Sequence, residues 1–79
     1  MEKVFILEEA DKYEHYSDIL YVDKTYEGCT EWLKYYLLDN KSLISGYYYK
    51  ITECSMNGTP ASTTSLYSGE LFKLIGERV

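Results

Sequence analysis

His15 is the single histidine of this 79-residue chain, and the groups around it form the sharpest constellation that could do chemistry. Asp11, Glu14, His15 and Asp18 follow i, i+3, i+4 and i+7, so a helix here would gather four metal donors on one side. Against this, the stretch lacks a capping signal and interleaves tyrosines, and hard cations are usually held by organised loops. An exposed acidic connection is therefore expected, with no metal and no other cofactor. Glu8 and Glu9 are adjacent on a predicted strand, where successive side chains point to opposite faces, so they cannot act as a facing acid and base. Cys29 and Cys54 are far apart and each falls on a segment expected to pack, which suits two reduced, partly buried thiols. No phosphate loop, dinucleotide fingerprint or zinc spacing is present, and an enzyme is not expected.

Charge is more informative than any motif. The formal net charge is −5, and it is unevenly spread. Residues 1–31 hold nine acids against Lys3, Lys12 and Lys24, a balance of −6, while residues 32–79 hold four acids against five basic residues, a balance of +1. An acidic half repels phosphate and attracts basic partner surfaces. With eight basic residues against thirteen acids there is no basic stripe, so direct binding of nucleic acid is not expected. No run approaches the roughly 20 apolar residues of a membrane span, and Met1-Glu2-Lys3-Val4 does not have the layout of a signal peptide. The expectation is a cytoplasmic protein with no membrane partner.

The elements that must position these groups are organised around one helix. Over residues 25–40, Tyr26, Cys29, Leu33, Tyr36 and Leu37 recur at helical spacing and Trp32 widens their stripe. Thr25 can cap the first turn, Glu27 and Glu31 lie near its positive end, and Asn40 suits the other end. Gly28 is discordant, costing roughly 1 kcal/mol against alanine, and is explained if a neighbour approaches closely. Lys3–Glu8 is an unbroken apolar run expected as a central strand with both faces at least partly covered. Asp18–Asp23 is a second strand. Gly46–Cys54 is a third, with Tyr47, Tyr49 and Ile51 assigned to the helix-covered face and Tyr48, Lys50 and Thr52 to the other.

Asn57-Gly58 predicts a two-residue type I′ hairpin turn. Residues 61–67 are either a returning edge strand, which Pro60 favours, or a loop. Glu70–Gly76 is expected as a final strand in preference to a helix. Residues 1–79 thus form a single domain of the α+β class, a small mainly antiparallel sheet in the order β-β-α-β-β with one amphipathic helix packed on one face. On Val4-Phe5-Ile6-Leu7, the strand at residues 19–22, the Thr25-capped helix and the aromatic strand at residues 47–53, the chain resembles small uncharacterised proteins of phages and Firmicute bacteria with a β-β-α-β plan. The resemblance covers residues 3–54. It implies a protein that acts by binding a host protein, and it transfers no functional residue.

Two function classes follow. In the first, the chain is a non-enzymatic protein-binding module: Glu8, Glu9, Asp11, Glu14 and Asp18 meet a basic partner surface, with Tyr13, Tyr16 and Tyr48 as aromatic anchors. In concrete form this is a phage-type inhibitor of a host defence or nucleic-acid-handling protein. In the second, the ten tyrosines line a pocket that sequesters a small molecule or nucleotide, with a homodimer interface as one location for it. Self-association through a sheet edge is the plain structural alternative.

Overall fold

The structure is a computed structural model that describes residues 3–14 and 16–76. Four strands, β1 (Lys3–Asp11), β2 (Ser17–Asp23), β3 (Tyr47–Ser55) and β4 (Pro60–Leu66), form one sheet in the order β2-β1-β3-β4, with every neighbouring pair antiparallel. Helix α1 (Tyr26–Asp39) joins β2 to the short α2 (Leu43–Gly46), which leads directly into β3, and α3 (Ser68–Leu74) follows β4. The α+β class and the central place of the first strand agree with the sequence reading. Residues 60–66 pair as an edge strand.

Alternation along the strands divides the sheet. Leu7, Tyr49 and Ile51 point to one face and form a single core with Cys29, Leu33 and Leu37 of α1, Ile44 of α2, Leu71 of α3 and Ile75 just beyond it. As expected, Tyr49 and Ile51 are closed off, with Tyr47 packed at their margin. Val4, Ile6, Ile19, Val22 and Tyr48 neither belong to that core nor pack against it. The second face of β1 is partly covered, as expected: no described helix packs on it, but Val4 and Ile6 are half-buried, and Ala10 and the Cys54 opposite Val4 are buried.

Three local features explain why the chain folds this way. Thr25 Oγ1 accepts the Gly28 amide at 2.9 Å, capping α1 as its sequence suggests. Gly28 has its close neighbour: a Cβ at that position would overlap the Asp23 carboxylate, lying 2.6 Å from Oδ1. The hairpin between β3 and β4 differs from the expected two-residue turn. Gly58 N–H donates to the Ser55 carbonyl at 2.9 Å and Ser55 N–H to the Thr59 carbonyl at 3.0 Å, so the loop is the three residues 56–58. Gly58 sits in the left-handed region at φ 87°, as a three-residue loop with a bulge requires.

The expected final strand is a helix, and this is a correction. Glu70 Oε1 accepts the Tyr67 amide at 3.3 Å, Leu71 and Ile75 fall one turn apart on the core side, and Gly76 ends the segment at φ 81°. A strand would have put Leu71 and Ile75 on the same face too. It would have left the edge of the core beside α2 open, which α3 now closes.

Candidate functional site

The acidic residues singled out in the sequence do not converge on one surface. Glu8 and Glu9 are parted by the pleat. Glu9 faces the helices, where its Oε2 accepts the Tyr49 hydroxyl at 2.8 Å and the Tyr36 hydroxyl at 3.2 Å. Burial, followed by this carboxylate, holds both phenols above their ordinary pKa, Tyr49 by far the more. Glu9 is therefore committed to the fold. Glu8 lies on the open face, opposite Ile19 and Lys50, and accepts the Ser17 hydroxyl at 3.0 Å. Tyr48 is on that same face, half-buried and stacked on Tyr67 with ring centroids 5.0 Å apart.

The remaining candidates gather at the β1–β2 hairpin end. Asp11 Oδ1 accepts the amides of Tyr13 at 2.7 Å and Glu14 at 3.0 Å, and the Asp11 amide donates to the Tyr16 carbonyl at 3.1 Å. The Asp11 side chain thus holds residues 11–14 in a turn rather than a helix. His15 lies outside the described residues, and among the described residues no three His, Cys, Asp or Glu side chains are placed to hold a metal ion. Glu14 and Asp18 are exposed at this end with Tyr13, 78% exposed, and Tyr16, 48% exposed. The Tyr16 phenol is raised above its ordinary pKa, first by the neighbouring Tyr47 and then by desolvation and by Asp11, Glu14 and Asp18.

The feature that the sequence did not signal is the behaviour of Lys12. This is the only cation among residues 8–18, and simple counting lets it offset the acids around it. In the structure its Nζ turns inward, donating to the Ile44 carbonyl at 3.2 Å, the Ser45 carbonyl at 3.5 Å and Ser68 Oγ at 3.0 Å. It thereby ties the hairpin to the end of α2 and the start of α3. The carbonyls at a helix end attract a cation, and the hairpin end is left with its carboxylates facing water and its ammonium facing protein.

A second constellation lies along α1. Tyr21, Trp32 and Tyr36 form a continuous stack, with centroids 5.2 and 5.1 Å apart and rings inclined by only 8° and 19°. The Tyr21 hydroxyl donates to Asp23 Oδ2 at 2.9 Å, and this bond, ahead of the Thr25 amide, lowers the Asp23 carboxyl below its ordinary pKa. Trp32 is half-buried between α1 and β2, and the stack serves packing. Two depressions beside it, lined by Trp32, Tyr35 and Tyr36 with Asp39 and by Tyr21, Trp32 and Tyr35 with Asp23 and Glu31, lie open on the surface. A further depression of about 280 Å³ is lined by Lys3, Val4, Lys24 and Met56 and holds no tyrosine. Neither thiol is disposed for chemistry: Cys29 and Cys54 are free and buried, and burial pushes the Cys29 thiol upward.

No protein-family model matches this chain, and neither the curated proteins nor the solved structures give a significant match. No described helix is long and apolar enough to cross a membrane.

Proposed function

We propose that the protein is a non-enzymatic binding module whose β1–β2 hairpin end engages a basic surface of a protein partner. The observation that carries this reading is the inward turn of Lys12, which leaves Glu14 and Asp18 uncompensated beside the exposed rings of Tyr13 and Tyr16. Carboxylates of this kind steer a basic partner at long range, and tyrosines supply contact area at low entropic cost. In its finer form the proposal is inhibition: the hairpin end occupies a surface of a host defence or nucleic-acid-handling protein that otherwise meets phosphate. The tyrosine-pocket alternative has less support, because the depressions that tyrosines line are open ones.

Capture from bacterial lysate by tagged protein, washed at low and then high salt, tests the reading when the wild type is run beside Glu14→Lys/Asp18→Lys. A stoichiometric protein held by the wild type, released by salt and lost from the variant supports it. The same protein held equally by both contradicts it, as does a retained small molecule with no protein.

A further inference from the structure

The open face of the sheet has a pattern of its own, independent of the hairpin end. Read in rows across β1 and β3, it pairs Val4 with Cys54, Ile6 with Thr52, Glu8 with Lys50 and Ala10 with Tyr48. The flanking edge strand β2 adds Val22 beside Ile6 and Ile19 beside Glu8, which are 51% and 64% exposed. In a chain of net charge −5, the central rows of this face carry one carboxylate and one ammonium. The Lys50 ammonium makes no hydrogen bond or ion pair among the described residues, although Glu8 is its cross-strand neighbour. On the other side β4 adds Ser65 beside Lys50 and Thr63 beside Thr52, so the face is mixed, apolar toward β2 and hydroxylated toward β4, and its charges balance where those of the chain as a whole do not.

We propose that this face is covered by a second copy of the chain, packed sheet on sheet about a two-fold axis that runs parallel to the strands between β1 and β3. That axis lays β1 of one copy over β3 of the other, row on row. Glu8 then meets the partner copy's ammonium at position 50 twice over. A two-fold axis across the strands instead lays β1 on β1 and sets Glu8 against an apolar side chain or against another Glu8, so the charges select the first arrangement. Near the axis the row matching survives the angle of about 30° at which twisted sheets pack.

The area is that of a small, reversible interface. Four strands about 4.8 Å apart and about six residues long, at ~3.3 Å each, span roughly 400 Å² in projection. Side-chain relief raises this toward the about 600 Å² per partner at the lower end of standard interfaces. Because this axis preserves strand direction, the two acidic hairpin ends emerge at the same end of the dimer. That would give the proposed docking surface two copies of its charge, although the dimer itself does not depend on that reading.

The test is sedimentation equilibrium or light scattering of the full chain between about 1 and about 300 µM. The wild type is expected to reach twice the 9.3 kDa protomer mass within that range. Glu8→Lys and Lys50→Glu each set like charges together at two places and are expected to shift the dimer dissociation constant at least tenfold. The double variant Glu8→Lys/Lys50→Glu restores the pairing and should return to the wild-type curve. Val22→Asp, at a half-exposed position that leaves the monomer folded by circular dichroism, should also dissociate the dimer. A wild type that stays at protomer mass at about 300 µM overturns the proposal, as does a dimer indifferent to both single charge reversals.

Discussion

On the face of the sheet beneath the helices, Leu7, Tyr49 and Ile51 are fully or almost fully withdrawn from water, whereas one residue along the same strands Ile6, Glu8 and Lys50 belong to a face that no described helix covers. The polar groups follow the same division. Glu9 on the covered face satisfies two phenols, and Asp23 at its margin takes the Tyr21 hydroxyl and the Thr25 amide. Among the described residues Glu8 on the open face holds only the Ser17 hydroxyl. A chain this small has one core to spend its apolar residues on. Placing all three helices on one side completes that core and leaves the other face, with the hairpin end, available for contacts.

The division can be broken most severely at Leu33. It has no exposure and stands between α1 and the sheet, so Leu33→Ala should lose about 2–5 kcal/mol in urea unfolding. Ile19→Ala on the open face should stay within about 0.5 kcal/mol in the monomer. Next in size is Gly28→Ala. Helix propensity alone favours alanine by about 1 kcal/mol, but the new methyl must displace the Asp23 carboxylate from α1, so a loss of about 1–3 kcal/mol is expected. In an Asp23→Ala background the sign should reverse. A stabilised single variant would show that the carboxylate does not lie against the helix.

Acid and alkali probe the covered face more gently. The Asp23 carboxyl is depressed when folded, so its contribution is complete above its ordinary value of 3.8 and is lost as pH falls through the folded value. Asp23→Asn should flatten the acid limb of a plot of melting temperature against pH. Tyr36 and Tyr49 are raised from 10.0, so their contribution is complete below that value and fades as pH rises above it toward the folded values. The alkaline limb should soften in Tyr36→Phe. Tyr13→Phe, at the exposed hairpin end, should change unfolding stability at neutral pH by no more than about 0.5 kcal/mol.

Much of the covered face was legible in the sequence because it obeys periodicity. The Cys29, Leu33 and Leu37 spacing gave α1, and the alternation of Tyr47, Tyr49 and Ile51 gave the inner side of β3. Gly28 announced a close approach without naming Asp23. The last helix was missed because its start signal is spread over Tyr67 and Glu70 without a Ser or Thr at the cap, and seven residues are too few for a clear stripe. The turn at Asn57-Gly58 was located, but the choice between two and three loop residues depends on the register of β4, which Ser62 to Ser65 do not fix by pattern.

At the hairpin end, sequence counting found the acids and tyrosines but treated Glu9 and Lys12 as surface charges. Both are held by groups 27 to 56 residues away in the chain: Tyr36, Tyr49, Ile44 and Ser68. No local pattern carries that information.

The most direct test of the division is urea unfolding of Glu9→Gln beside Glu8→Gln, at a concentration low enough for the protomer to predominate. The two residues are chain neighbours with the same chemistry, and only the face they occupy differs. Loss of the charged acceptor shared by Tyr36 and Tyr49 should cost Glu9→Gln about 1–3 kcal/mol, while Glu8→Gln should remain within about 0.5 kcal/mol of wild type. Equal losses in the two variants, or a larger loss from Glu8→Gln, would contradict the division of the sheet into a face that holds the fold and a face left for contacts.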